Sequence, residues 1–429
     1  MNQEFKEIKM KENRIYTIDL IRTIGIILMI LAHVHDQWLD LDSSWFAAML
    51  YTILSPIGIP SFVFATGLGF GFSWQLKKIK NLKFKDNAIY QLSRTIILLG
   101  IAFGYNFIGV IVHKRSLYNI WFWYILQTIA ISRLLAILFI KFKSIIRFIF
   151  SIILVILTHF ILFFLIPFKD TSDFRGLLYF ILFNTIDADS ILFFFPCVLI
   201  GTIIGEKIAI INEEMYVFRQ NISIISIDKE SELINKKRSI EKFLKQLIIG
   251  SLFFILIGVF SGLQKATYYY GWDRIIEQFK TNPNFNINSL PLFLVRNSYA
   301  WIIFGIGWIL LLIYIFFSKI DYKILIRGEK EINKNNLKII ESICLFGKYS
   351  LTIYLTHYLA YLLPFNFNHY LILIAFIIFA AVIWFIIFAI DKFTNGRFSI
   401  EAIINNGANE ILKIIYKKNN SIQIKRVIK

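Results

Sequence analysis

Cysteine, proline and histidine are all scarce in this chain of 429 residues, with counts of two, seven and six. Cys197 lies in an apolar run and Cys344 beside a basic one. Two such isolated thiols exclude a disulfide framework and lack the paired spacing of a zinc site, so no metal is expected. Acidic residues are also few, 28 against 46 Lys and Arg, giving a formal net charge of +18. That excess raises nucleic acid as a partner, but the basic residues fall in alternate short loops between apolar runs, which is a membrane pattern. No nucleic-acid binding is expected. The chain also lacks G-x-x-x-x-G-K-[ST] and G-x-S-x-G, so neither a phosphate-cradling loop nor a serine nucleophile elbow is present in sequence.

What is abundant is apolar surface: 57% of residues are hydrophobic and 44 are Phe. This composition excludes an ordinary soluble domain and implies an all-α, polytopic bundle embedded in a lipid bilayer. Runs of spanning length, about 20 residues, occur at 15–39, 45–74, 88–112, 119–140, 145–167, 188–208, 244–262, 290–317, 343–364 and 368–390. Ten helices are predicted, with room for an eleventh near Pro56–Pro60 or Arg175–Asn184. Pro56, Gly58 and Pro60 are expected to break the second run or make it re-entrant. The first run is too long for a signal-peptide core and lacks an A-x-A-like cleavage site, so it is expected to remain as an anchor.

Every even loop is basic: Lys77 to Lys85, Lys141 to Arg147, Lys236 to Lys245 and Lys323 to Lys338, with Lys6 to Arg14 at the N-terminus. The odd loops carry Asp36, Asp40, Asp42, Asp170, Asp173, Asp187 and Asp189, then a mixed segment at Tyr268–Asp273, and only Lys114–Arg115 runs against the alternation. The positive-inside rule then puts both termini in the cytoplasm. The resulting division is a cytoplasmic segment 1–14, a six-helix part 15–208, a polar insertion 209–243, a four-helix part 244–390 and a basic cytoplasmic tail 391–429. The insertion reads as a connector or a short amphipathic surface helix.

Within the first run, RIYTIDLIRTIGIILMILAHVHDQW carries ionisable groups at membrane depth, where they are costly and tend to be functional. At about 100° per residue, Asp19, Arg22, Ile26, Met29, His33 and Asp36 share a stripe about a quarter-turn wide, and His35 points elsewhere. Arg22 and His33 are separated by roughly 16 Å along the axis. His33 with Asp36 one turn on can form a general base, or His33 can be a hydrogen-bonded histidine inside the bundle. Arg22 either pairs with Asp19 to seat the helix or anchors the phosphates of a donor entering from the cytoplasm.

Further along, GKYSLTIYLTHYL places Ser350, Tyr354 and His357 on one helical face, as interhelical polar glue or as the opposite wall of a site. Gln127 sits in an apolar surround as packing glue or a substrate contact. His159 reads as a core histidine, His113 and His369 as interfacial residues, and the glycines of GIPSFVFATGLGFGF as helix-packing residues.

IDLIRTIGIILMILAH, Ile18 to His33, resembles the opening iD-x-x-R-G-x-a-i-x-x-M-x-x-x-H of the heparan-alpha-glucosaminide N-acetyltransferase-like family, multi-pass enzymes related to the membrane acyltransferase type 3 proteins. SFVFATGLGFGF, YILQTIAISRLL and GKYSLTIYLTH are similar, in order, to the family's F-x-F-x-x-G, G-x-L-Q-R-x-g and G-x-x-S-L-x-x-Y-x-x-H, and GRFSIEAIIN resembles the closing G-P-x-E-x-x-x-R of a related subgroup. Thr23 replaces the usual Gly, Thr128 the usual Arg, and DSSWF has no counterpart of the lysosomal members' catalytic His. The resemblance therefore implies acyl transfer without fixing a glycosaminoglycan substrate. It implies acetyl-CoA, or another acyl-CoA, as co-substrate with no bound cofactor, and a glycan or small-molecule acceptor outside the plasma membrane. His33 and Asp36 would be catalytic, and Asp19, Arg22, Gln127, Tyr354 and His357 would bind donor or acceptor. The rival class is a permease or flippase in which Arg22, His33 and Asp36 relay protons or bind an anion. An oligomer is compatible with either.

Overall fold

A computed structural model describes residues 14–112, 114, 116–184, 188–220, 228–266, 273–285, 287–327 and 334–416. In chain order the helices are α1 (Tyr16–Trp38), α2 (Ser44–Ile79), α3 (Phe84–Val112), α4 (Ile125–Phe139), α5 (Ser144–Leu165), α6 (Phe174–Leu182), α7 (Ile191–Gln220) and α8 (Asp228–Ser261). They continue as α9 (Asp273–Phe279), α10 (Tyr299–Phe316), α11 (Tyr322–Arg327), α12 (Lys334–Lys348), α13 (Ser350–Thr356), α14 (Leu371–Thr394) and α15 (Ile400–Tyr416). Among the described residues no strand forms, and the β pairings are isolated bridges, Leu39 with Phe367 and Lys265 with Pro291. The all-α membrane class read from composition is what the chain adopts.

Among the described residues, eight helices are long and apolar enough to cross a membrane: α1, α2, α3, α5, α7, α8, α10 and α14. The two remaining apolar runs are interrupted. Residues 119–140 become a 3₁₀ turn at Leu117–Trp121, an extended stretch, and the 15 residues of α4. Residues 343–364 are divided at Tyr349 between α12 and α13 and end in a 3₁₀ helix at His357–Leu362. The extra helix anticipated near residue 175 exists as α6, but its 9 residues are too short to span.

Pro56 and Pro60 do not break the second run: both lie inside α2, which is continuous for 36 residues. Proline removes one backbone donor, and in a membrane helix neighbouring elements make this tolerable. Here α10 packs directly beside the prolines, with Gly305 against the Pro56 carbonyl and Trp301 donating to the Ser55 hydroxyl at 3.2 Å.

Most of the polar insertion is helical. α7 runs on to Gln220 and α8 starts at Asp228, with Lys236 reaching the Glu214 carbonyl at 3.2 Å between them. Charged residues of high helix propensity simply prolong two apolar helices. Part of the tail is ordered too: α15 buries Ile404, Ala408 and Leu412 and packs on α3. The basic residues after Tyr416 lie outside the described residues.

Two close crossings position the rest. Gly67 and Gly71 of α2 interleave with Gly201 and Gly205 of α7, where any Cβ would overlap backbone of the partner helix. Small residues four apart on both helices permit that approach. On the other side of α2, α1 packs along its length, and Gly347 of α12 abuts the Asp19 carbonyl of α1. The six-helix and four-helix parts therefore share one core, with α1 between them.

The start of α1 has no capping side chain of its own. Asp321, in the π-helical stretch Phe317–Asp321 after α10, accepts from the backbone N–H groups of Tyr16 and Thr17, both at 2.8 Å, and from the Thr17 hydroxyl. A carboxylate some 300 positions away thus satisfies donors that a helix start leaves open.

Candidate active site

At the N-terminal end of the α1 stripe, Asp19 accepts two hydrogen bonds from Arg14, at 2.8 and 3.0 Å, and lies 3.8 Å from Arg22. The Asp19–Arg22 pair expected from the sequence therefore forms loosely, with Arg14 as the nearer partner. Arg22 is turned toward α2, where the guanidinium fills the space left by Gly69. Lys77 at the end of α2, Arg94 on α3 and Arg133 on α4 complete a cationic cluster in which Arg94 acts electrostatically on the other three.

Arg133 donates to Gln91 at 3.0 Å, Lys77 sits 2.8 Å above the Tyr90 ring, and the buried Nε atoms of Arg94 and Arg133 have no partner. The carboxylates that act on Arg22 are Asp19, already shared with Arg14, and Glu401. Four cations drawn from four helices to one place favour an anion.

At the C-terminal end, His33 meets the element that follows α13. Its Nε2 is 3.1 Å from the Tyr358 hydroxyl, and its ring centroid is 5.3 Å from His357 and 5.1 Å from Tyr358. His357 is 2% exposed; its Nδ1 lies 2.7 Å from the Tyr354 carbonyl and 3.2 Å from that of Ile353, while Nε2 is buried with no partner. Tyr354, Tyr361 and Tyr105 continue the aromatic wall, with ring separations of 5.8 Å from Tyr354 to His357, 6.4 Å from Tyr361 to His33 and 6.1 Å from Tyr105 to Tyr354.

The structure thus joins His33, His357 and Tyr354, and sets Arg22 and Asp19 at the far end of the same helix face. Asp36 is placed differently from the sequence reading. It is 54% exposed, accepts from Gln37 at 3.2 Å and lies 3.6 Å from Arg274, while the histidine's hydrogen bond goes to Tyr358. Position 36 is near the helix end, where a carboxylate stays solvated instead of turning inward.

His35 faces away, as its position predicts, bonded to the Leu31 carbonyl at 2.7 Å and packed on Phe46. Gln127 is fully buried and accepts from Asn106 at 3.0 Å, but its own Nε2 is unpartnered. Ser350 opens α13, His159 packs on Tyr299, and His369 pairs with Ser43 at 3.1 Å. His113 lies outside the described residues.

Several contributors were not legible beforehand. Tyr358 is adjacent to His357, but an α-helical register puts it off the stripe; the 3₁₀ geometry that begins at His357 changes that register. Asp189 and Arg296 form an ion pair in which Arg296 also donates to Tyr51 at 3.0 Å, close enough to act on His33. Glu401 accepts from the N–H groups of Leu351 at 2.7 Å and Thr352 at 3.3 Å and from the Thr352 hydroxyl at 2.6 Å, capping the helix that carries Tyr354. The GRFSIEAIIN motif was the only sequence signal for it.

A family model described as heparan-alpha-glucosaminide N-acetyltransferase, catalytic, matches residues 14–225. Residues 14–225 are similar to that family, a stretch just under half of the chain. Comparison with curated proteins and with solved structures finds no match. The region matched includes His33 and all four members of the cationic cluster and ends before Tyr354, His357 and Tyr358. The heparan-alpha-glucosaminide N-acetyltransferase-like resemblance drawn from the motifs is thereby borne out over residues 14–225, in a chain whose apolar helices are those of a membrane protein.

Proposed function

We propose that the protein is an integral-membrane acyltransferase that moves an acetyl group from cytoplasmic acetyl-CoA, through the bundle, to a hydroxyl or amine of a glycan or smaller acceptor outside the plasma membrane. The observation that carries this reading is the pairing, on one face of α1, of a cationic cluster around Arg22 with an imidazole–phenol cluster around His33. Phosphates of the donor would bind Arg22, Lys77, Arg94 and Arg133, and the flexible thioester arm would extend along the stripe past Ile26 and Met29. The acceptor would meet the thioester between His33 and the Tyr354–Tyr361 wall. Asp36, exposed at the rim, would contact the incoming acceptor.

The proposed topology has ten crossings with both termini cytoplasmic. Support comes from the path of the broken element beside α1: Gly347 lies against Asp19, His357 against His33, and the Leu363 carbonyl accepts from Trp38 at 3.2 Å. It runs parallel to α1 from end to end and so traverses the same thickness. α4 runs antiparallel to α3, with Gln127 beside Asn106 and Arg133 reaching Gln91.

The test is release of CoA thiol from acetyl-CoA by the detergent-purified protein, with glucosamine as the acceptor probe and the acetylated product read by mass spectrometry. Protein-dependent thiol release and acetyl product are expected. If neither appears, and proteoliposomes instead carry protons or anions across the membrane, the permease reading replaces this one.

A further inference from the structure

His33 and His357 are neighbours, yet their surroundings give them opposite hydrogen-bonding character. For His357 the tautomer follows from its partners. Nδ1 faces two backbone carbonyls, of Tyr354 and Ile353, and a carbonyl can only accept. Nδ1 therefore carries the proton, and Nε2 is left as a bare lone pair, buried with no donor to satisfy it. A buried acceptor without a partner is costly; His35 Nε2 is in the same state, but that of His357 belongs to a ring beside His33, at the end of the stripe that begins with Arg22.

For His33 the argument runs through Tyr358. The phenol's single hydrogen bond among the described residues is to Nε2 of His33. If Nε2 carried the proton, the phenolic hydrogen would have no acceptor inside an apolar bundle. The phenol donates, Nε2 accepts, and Nδ1 of His33 carries the imidazole's proton. The cluster thus holds two neutral imidazoles with centroids 5.3 Å apart, one presenting an N–H and the other a lone pair.

We propose that His357, through Nε2, is the general base of the acyl transfer, and that His33, through its Nδ1–H, is the hydrogen-bond donor to the reacting carbonyl oxygen. The inference rests on the acyltransferase reading above. In the reaction, Nε2 of His357 takes the proton of the acceptor hydroxyl or amine as the acceptor atom bonds to the thioester carbonyl carbon. Negative charge that builds on the carbonyl oxygen is met by the His33 N–H. The C–S bond then breaks, and the departing thiolate takes up the proton from the His357 imidazolium, restoring both rings.

Asparagine separates these roles, because its amide N–H lies near the position of a histidine Nδ1 and it has no basic lone pair. His357→Asn keeps a donor for the Tyr354 carbonyl, so the fold is retained, but it removes the base. Thiol release from acetyl-CoA with glucosamine present should fall about 10²–10⁴-fold in kcat, with KM little changed and activity no better than that of His357→Ala. Millimolar imidazole should restore part of the activity of His357→Ala. His33→Asn keeps an N–H donor and should retain part of what His33→Ala loses. Wild-type kcat in folded His357→Asn, or asparagine rescuing position 357 and not position 33, would overturn the assignment while leaving acyl transfer intact. Absence of thiol release by the wild-type protein would overturn both.

Discussion

His33 and His35 stand two positions apart on α1 and experience different surroundings: His33 packs among the rings of His357, Tyr358 and Tyr361, while His35 is bonded to its own helix and packed on Phe46. His33→Ala is expected to reduce acyl transfer by about 10² or more, and His35→Ala to leave it near wild type, measured as thiol release at matched expression. Similar activity in the two variants would remove the stripe from the mechanism. At the other end of the stripe, Arg22 fits into the gap at Gly69 and joins Arg94 and Arg133. Arg22→Ala should weaken acetyl-CoA binding measured by calorimetry. Arg22→Lys should recover only part of it, since an ammonium lacks the planar fork that matches phosphate oxygens. Unchanged affinity in a folded Arg22→Ala protein would place the donor elsewhere. Both residues were identifiable because charge at membrane depth is rare. Tyr358 and the Asp189–Arg296 pair were not, because a tyrosine in an aromatic-rich chain and charges at helix ends are ordinary features until the fold brings them to one place.

Among the elements, two helices that carry the site begin at caps supplied from distant sequence: Asp321 for α1 and Glu401 for α13. Loss of a capping carboxylate typically costs about 0.5–2 kcal/mol. Glu401→Ala should therefore lower the thermal midpoint of the purified protein modestly and reduce kcat more than it reduces donor affinity, because α13 positions Tyr354 and leads into His357. Equal activity with a lowered midpoint would limit Glu401 to stability. Gly67→Leu, at the α2–α7 crossing, should be far more damaging, since backbone atoms of Val198 occupy the space of any side chain there. Loss of detergent-extractable, monodisperse protein on size-exclusion chromatography is the expected result. Helix existence was readable from the apolar runs, while helix continuity was not. Pro56 and Pro60 suggest an interruption by local rules, yet α2 stays helical because α10 packs alongside; Tyr349 gives no warning, yet the helix breaks there.

For the whole molecule, the proposed orientation can be tested with single cysteines, since Cys197 and Cys344 are both buried. Glu232→Cys, on the inner extension of α8, should react with an impermeant maleimide only after the membrane is opened. Asp273→Cys, at the start of α9, should react in intact cells. Equal external labelling of both would overturn the topology and, with it, the entry of the donor from the cytoplasmic side.

Composition and hydrophobic run length by themselves determined that this is an all-α membrane protein, because a bilayer requires long apolar helices and leaves few other solutions. Periodicity determined that Asp19, Arg22 and His33 share a face, since a straight helix fixes that angle locally. Tertiary structure decided what each of them meets. Gly69 accommodates Arg22, Tyr358 replaces Asp36 as the partner of His33, and Glu401 holds the start of α13. Those contacts join residues more than 40 positions apart, where spacing along the chain carries no angular information, and only the packing of α1 between the two halves of the bundle brings them together.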